Sequence, residues 1–427
     1  MHTSAPEITA VHRASDRQRR SFIEAAVQLG SDIVQHQTTL PNDDVSWNVE
    51  RMPGLGKPPQ VTPIGAHLYE GRAGIGVFFA ALEQEEPGAE WRARSLAAVE
   101  PTRRVLRKVL ASPERRESLD LGVGGIYGIG GLIYSFARMG TFLDDASLLE
   151  DARALTGLLT PQRFTKQTCD DLVMGTAGAV CALLVLHELS PAPLADGETP
   201  LEIAVRAGDK LLADRVEWDG RPRAWKSSMR FPPLAGFSHG AAGVVYALDR
   251  LQKVTGDRRY LDAAEEGLAF ERTAYSAPHQ NWLDLRVDPE KSKPRVLNNW
   301  CHGAPGILLG RVLTFATFHD EEIHRELEVA IATTEGQPLT PADHVCCGNL
   351  GRAEILHDAG TVLDRPDLLD AAYELAEVSR ARALENGHYG WQLLRGFEPS
   401  FFSGAAGAGY AFLRLAKPSL PSVLSLL

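Results

Sequence analysis

Seven stretches of the chain carry large apolar residues with few breakers: IGVFFAAL, LIYSFA, AVCALLVL, VVYALDRL, ILLGRVL, RAEIL and AGYAFLRL. A helix apolar on every side must be buried. Each of the seven follows a Gly-x-x-Gly turn, at Gly71–Gly74, Gly128–Gly131, Gly175–Gly178, Gly240–Gly243, Gly303–Gly306, Gly348–Gly351 and Gly404–Gly407. A chain with 39 glycines shows some such pairs by chance, but chance does not place an apolar helical stretch after every one. Between the turns a second unit recurs, as DDASLLEDARAL from Asp144, GDRRYLDAAEEGL from Gly256 and DRPDLLDAAYEL from Asp364. Here the polarity is one-sided. Leu261, Ala264 and Leu268, or Leu368, Ala372 and Leu375, share a face at helical spacing, with Glu and Arg opposite. Asp257 and Asp364 are placed to accept bonds from first-turn amides, and Pro366 is tolerated in that turn.

Each repeat therefore pairs a buried helix with an amphipathic one, and a ring of such pairs buries a core that one pair alone cannot. Glycine lets the chain turn tightly where each inner helix begins, and seven turns at one end line a central cavity. No strand-period segment of useful length appears. The reading is an all-α protein, an α/α toroid of seven helical-pair repeats, with residues 66–427 forming the toroid. Residues 1–65 form an extension, expected to be helical and packed on it. The polar stretch from Ala277 to Arg295 and PERRES from Pro113 read as inter-repeat loops.

The 427 residues carry a net charge of −11 and no Lys/Arg block that would neutralise a run of phosphates, which argues against nucleic-acid binding. The N-terminus lacks the apolar core of a secretory signal, and Ala177–Leu186 is shorter than the about 20 residues a membrane span needs. A cytoplasmic protein is expected, and there five cysteines point to metal or catalytic use before disulfides.

Three of the five sit just before turn glycines: Cys301 in NNWCHGAPGI, and Cys346 with Cys347 in DHVCCGNLGR. Cysteine is also a common small core residue, but turns five and six are ring neighbours, so these thiolates can meet around one tetrahedral zinc ion and leave its fourth position open, as in a catalytic site. Cys169 and Cys181 both read as core, Cys181 inside the apolar AVCALLVL helix and Cys169 near Asp171, from where the cavity is within reach. His239 in GFSHGAAG occupies nearly the same slot as the turn cysteines and is a candidate acid/base. Asp171 in CDDLVMGTAG also precedes its glycine, with Asp170 as the alternative inward residue or either as a helix cap. His302, Asn299 and Arg352 are candidates to support the ligands.

WCHGAPGI and CCGNLGR resemble the lanthionine synthetase C-like cyclases, most closely the three-cysteine (CCG) cyclase domain of class II lanthipeptide synthetases, and the resemblance covers nearly the whole repeat region. It implies an α/α toroid in which Cys301, Cys346 and Cys347 bind zinc, His239 is the acid/base and Asp171 assists. The implied reaction is Michael-type addition of peptide cysteine thiols to dehydroalanine or dehydrobutyrine, giving lanthionine or methyllanthionine rings. Many relatives have Cys-His-Gly where Cys346-Cys347-Gly348 stands here. Many stand-alone cyclases have Tyr at the position of His302, and some place Arg at that of Leu297, two residues from Arg295 here. The fused enzymes also carry a large dehydratase, for which the extension is too short. A dehydrated precursor peptide and a separate dehydratase are the implied partners. The alternatives are an enzyme adding glutathione to dehydroamino acids and a non-catalytic zinc-containing peptide-binding scaffold. A sugar-processing toroid would need a second inward carboxylate beside Asp171.

Overall fold

The computed structural model describes residues 14–40, 42–51, 58, 60–88, 90–227, 231–286, 295–391 and 396–427. Among them run sixteen α-helices: α1 (Asp16–Gln35), α2 (Arg72–Glu85), α3 (Trp91–Leu110), α4 (Pro113–Ser118), α5 (Ile129–Leu143), α6 (Ala146–Leu155), α7 (Pro161–Lys166), α8 (Thr176–Leu189), α9 (Pro200–Ala213), α10 (Ala241–Thr255), α11 (Arg258–Arg272), α12 (Ala304–Thr314), α13 (Glu321–Glu335), α14 (Asn349–Val362), α15 (Pro366–Asn386) and α16 (Ala405–Ala416). Each Gly-x-x-Gly turn opens an inner helix, since α2, α5, α8, α10, α12, α14 and α16 all begin on the residue after its first glycine. Neighbouring inner helices pack side by side in that order, and α16 packs on α2, which closes the toroid. The outer helices α3, α6, α9, α11, α13 and α15 pack each on the inner helix before it.

The seventh outer helix comes from the other end of the chain. Helix α1 packs along α16. A capping box fixes its start, the Ser15 side chain accepting from the Gln18 amide while the Gln18 side chain accepts from that of Ser15. Its buried face is Phe22, Ala25, Ala26, Leu29, Gly30 and Ile33. After α1 the described residues of the extension are not helical. Gln37–Thr39, Val45–Arg51 and Gln60–Pro63 form a three-stranded antiparallel sheet, because Trp47 and Val49 alternate inward and the Trp47 indole donates to the Ile33 carbonyl at 2.7 Å. Such short strands carry too little alternation to stand out in sequence.

Other expectations change in detail. Asp257 caps α11 by accepting from the Arg259 amide at 3.0 Å, but Asp364 does not cap α15, whose N-cap is Arg365. Asp364 sits at φ +51° and turns the chain instead. The PERRES segment is the helix α4, capped by Ser112 and opened by Pro113. Of the 277–295 loop, residues 287–294 lie outside the described residues.

The glycine requirement of the turns is steric. A Cβ at Gly351 or Gly407, the second glycine of its turn, would fall 1.9 or 1.8 Å from the carbonyl oxygen of Val345 or Phe401. Adjacent turns are stitched by backbone bonds, Ile126 to Val173, Val173 to Ser238, Cys346 to Phe402 and Phe402 to Tyr69, between 3.0 and 3.3 Å. Turns two, three and four, and turns six, seven and one, are thereby held together at one end of the ring.

Candidate metal centre and its rim

In six of the seven turns the residue just before the first glycine is partly or fully exposed: Glu70, Tyr127, Met174, His239, Cys347 and Ser403. The fifth turn is shifted by one residue, so that His302 is buried and Cys301, two residues before the glycine, is the accessible one. Gly303 accounts for the shift. Its φ is +88°, whereas Gly348 at the sixth turn has an extended φ of −112°. A Cβ at Gly303 would also lie 1.6 Å from the Leu297 oxygen. Only glycine supplies that backbone without strain.

The shift brings Cys301 to the cysteines of turn six. Its Sγ lies 3.6 Å from that of Cys347, which is 3.3 Å from that of Cys346, and all three sulfurs fall within 4.8 Å of one another. Tetrahedral zinc, with Zn–S bonds of about 2.3 Å, sets its sulfurs about 3.8 Å apart. The trio fits that spacing. The chemistry agrees, because a hydrogen bond to Cys346 and burial hold the Cys301 thiol well above its usual range, and a hydrogen bond to Cys301 and burial do the same for Cys347. Three such thiols ionise together only around a cation.

Two side chains tie the loops together. The Asn299 amide, oriented so that both its ends are satisfied, donates to the Cys347 carbonyl at 3.2 Å and links turn five to turn six. Arg352 does not reach the cluster. It is buried in α14, donating to the carbonyls of Gln337 and Pro338 at 2.7 and 3.1 Å and to Asn349 Oδ1 at 2.8 Å, and so holds the loop leading into turn six. His302 lies beneath the rim, its ring 6.2 Å from that of His239, and burial together with Arg286 pushes its pKa down to about 3.

His239 stands on turn four, next to Cys301, whose carbonyl accepts from the Ser238 hydroxyl at 3.3 Å. Asp171 Oδ2 is 2.8 Å from His239 Nδ1, and it also accepts from the Ser227 hydroxyl at 3.0 Å, while Oδ1 accepts from the Met174 amide at 2.7 Å. Burial alone would raise the Asp171 pKa, but the charge and hydrogen bond of His239 and the Met174 amide hold it below the usual range. A carboxylate at Nδ1 fixes the ring with its Nδ1–H inward, leaving Nε2 as the free nitrogen. Asp170 points elsewhere, to Thr176 and Lys210 at 3.0 and 3.1 Å. Cys181 is buried in α8, and Cys169 packs beside Asp171, where burial pushes its thiol up.

The sequence reading missed two neighbours of the cluster. The Tyr69 hydroxyl hydrogen-bonds Cys346, and burial first, then the charge on that sulfur, raises its pKa. Its ring stacks on Phe402 at 4.9 Å and on Tyr127 at 5.1 Å, giving the rim an aromatic wall. Arg286 is gripped by both oxygens of Asp284 at 2.8 Å, which raises its pKa, and the Cys301 and Cys347 thiolates raise it further. Arg295 lies farther from Asp284, at 3.6 Å, and is half-exposed. Tyr69 precedes its turn glycine by two residues, as Cys301 and Cys346 do theirs, a signal that could have found it. Arg286 lies in a loop with no such marker.

A closed α/α toroid with three cysteines that could hold a metal ion and a His–Asp pair on one rim defines a class of helical toroids with a cysteine cluster at the cavity. The chain belongs to the lanthionine synthetase C-like protein family, whose model matches residues 62–427. Among solved structures it is similar to nisin cyclase, at 15% identity over 95% of each chain with a TM-score of 0.59. A GH76 alpha-mannanase from Bacteroides thetaiotaomicron gives 11% identity over 93% of this chain and 95% of the other, with a TM-score of 0.48. An unsaturated glucuronyl hydrolase specific for heparin gives 13% identity over 86% of this chain and 99% of the other, with a TM-score of 0.44. No helix among the described residues is long and apolar enough to cross a membrane.

Proposed function

We propose that this chain is a zinc-dependent lanthipeptide cyclase acting in the cytoplasm on a dehydrated precursor peptide supplied by a separate dehydratase. The observation that carries this reading is the meeting of Cys301, Cys346 and Cys347 within 4.8 Å beside His239, on the open rim of a family-matched toroid. Those three cysteines would hold the ion, and zinc in such an open site lowers the pKa of a coordinated thiol, making it nucleophilic at neutral pH.

The chain's own groups account for the protons. His239 Nε2, free while Nδ1 bonds Asp171, takes the proton of the incoming peptide thiol. The sulfur then adds to the β-carbon of the dehydro residue, a C–S bond replaces the C=C π bond, and negative charge builds on the adjoining carbonyl. His239 returns a proton to the α-carbon, so atoms and charge balance with no leaving group. Asp171, ionised at neutral pH, stabilises the imidazolium between the two transfers. Arg286 sits close enough to offset the negative charge of a three-thiolate site. The Tyr69 and Tyr127 rings, the first backed by the buried Phe402, give the peptide an apolar wall.

The test is incubation of the zinc-loaded protein with a dehydrated peptide carrying its own cysteine, in competition with glutathione. Ring closure, read as blocked thiol alkylation at constant peptide mass, supports cyclisation. A glutathione adduct in its place identifies the glutathione-adding enzyme, and binding without reaction identifies a scaffold.

A further inference from the structure

The inner helices carry a second repeat. Tyr134 and Arg138 on α5, Tyr246 and Arg250 on α10, and Tyr410 and Arg414 on α16 each stand six and ten residues after the first turn glycine, Gly128, Gly240 or Gly404. One and a half helical turns and nearly three turns from the rim, these pairs face the inside of the ring, where the chain returns after α16. Pro421 O accepts from the Tyr410 hydroxyl at 2.8 Å and Leu420 O from Arg414 Nε at 3.2 Å. Leu426 O accepts from Arg250 Nη1 at 2.9 Å. Leu427 O accepts from both the Tyr134 hydroxyl and Arg138 Nε at 3.0 Å. Three repeats spread around the ring thus contribute donors to the backbone of one eight-residue segment, whose Leu420, Val423, Leu424 and Leu426 are all buried.

That segment reaches the metal site. Leu424 O accepts from Trp300 Nε1 at 3.2 Å, and Trp300, itself fully buried, is the residue before Cys301. The Trp300 ring is also wedged 5.1 Å from Phe402, whose carbonyl accepts from the Cys346 amide at 3.0 Å. Both cysteine turns therefore rest on an indole that the segment holds from below.

We propose that residues 420–427 are a positioning segment for the metal centre, seated in the ring by Tyr134, Arg138, Arg250, Tyr410 and Arg414 of the three Tyr-x3-Arg pairs and setting the place of Cys301 through Trp300. The proposal rests on the metal-site reading above and not on the cyclase reaction. An indole N–H satisfied by a fixed carbonyl holds its ring in one orientation, and supports behind a ligand cost about 10–100-fold in metal affinity when removed.

Two variants test it, Trp300→Phe, which keeps an aromatic ring and loses the donor, and Arg138→Gln with Arg250→Gln, which loosens the segment far from the cysteines. Each is titrated with cobalt(II), followed by its d–d bands, and compared with the parent by hydrogen exchange. The expected result is cobalt affinity about tenfold weaker in both. The double variant should also show faster exchange in residues 420–427 together with residues 297–303. Faster exchange in 420–427 with parental cobalt affinity and parental exchange in 297–303 overturns the proposal, as does parental affinity in Trp300→Phe. If the double variant fails to fold, Trp300→Phe decides alone. Coupled cobalt binding in a protein that does not cyclise peptide leaves this proposal standing and removes the cyclase reading.

Discussion

Turns five and six use the same glycine frame to opposite ends. The sixth presents Cys347 from the ordinary slot, with Cys346 buried behind it and Gly348 extended. The fifth presents Cys301 from the slot that is buried in most other turns, because Gly303 at φ +88° shifts its register by one residue and puts His302 underneath. A repeat supplies a site by placing identical slots side by side; a single backbone dihedral then decides which residue of a slot faces the cavity. Turn six brings both the accessible Cys347 and the buried Cys346 to the cluster, and turn five adds Cys301 from the same offset as Cys346, with its sulfur side accessible.

The two turns should be equal partners in the metal and unequal in their tolerance. Cys301→Ala and Cys346→Ala are each expected to lose tight zinc binding and all measurable cyclisation, read by metal analysis and peptide mass spectrometry. Retention of stoichiometric zinc by either would separate the turns. His239→Asn, on the neighbouring turn, should keep its zinc and lose about 10²–10⁴-fold in cyclisation rate, as removal of a general acid/base does, or lose stereochemical control. An unchanged rate with unchanged stereochemistry contradicts its role.

Gly303→Ala should weaken zinc by about 10–100-fold through the displaced Cys301 loop. Gly310→Ala, in the helix that Gly303 caps and with its nearest neighbour at an ordinary 3.5 Å, should leave zinc unchanged. Equal zinc affinity in the two would refute the register argument. Asp171→Asn leaves His239 and Ser227 with an altered partner in a fully buried place, at a cost of about 1–3 kcal/mol. The folded pKa of Asp171 is depressed, so its contribution is complete above the unfolded value of about 3.9 and fades as pH falls through the lower folded value. Urea midpoints should show a constant gap between parent and variant from neutral pH to about pH 5, narrowing below about pH 4. A gap that instead opens toward acid would contradict the sign. The smallest effect is expected for Cys347→His, where loss of one thiolate should slow cyclisation a few-fold by making the substrate sulfur less nucleophilic; equal rates in fully metallated proteins would remove that idea.

Much of this was legible in the sequence, because the repeat writes itself as glycine spacing and apolar runs. The toroid, the three cysteines and His239 all follow from their places relative to turn glycines. What escaped depends on contacts between distant segments. Helix α1 shows its capping box and apolar face, but nothing in its sequence says that it completes the seventh pair against α16. The choice of Asp171 over Asp170 is made by where Ser227 and Lys210 lie, and both are far along the chain. Asp364 has the right residue type for a cap but sits one position too early, at a left-handed φ. The Tyr-x3-Arg pairs were visible in IYSFAR, VYALDR and GYAFLR, yet their meaning waits on the segment they hold.

The coordination of zinc in the purified protein, measured by X-ray absorption at the zinc edge, tests the three-cysteine metal centre most directly. One zinc per chain with at least three sulfur neighbours at about 2.3 Å is the predicted result. A protein that takes up no zinc, or binds it through oxygen and nitrogen alone, would contradict it.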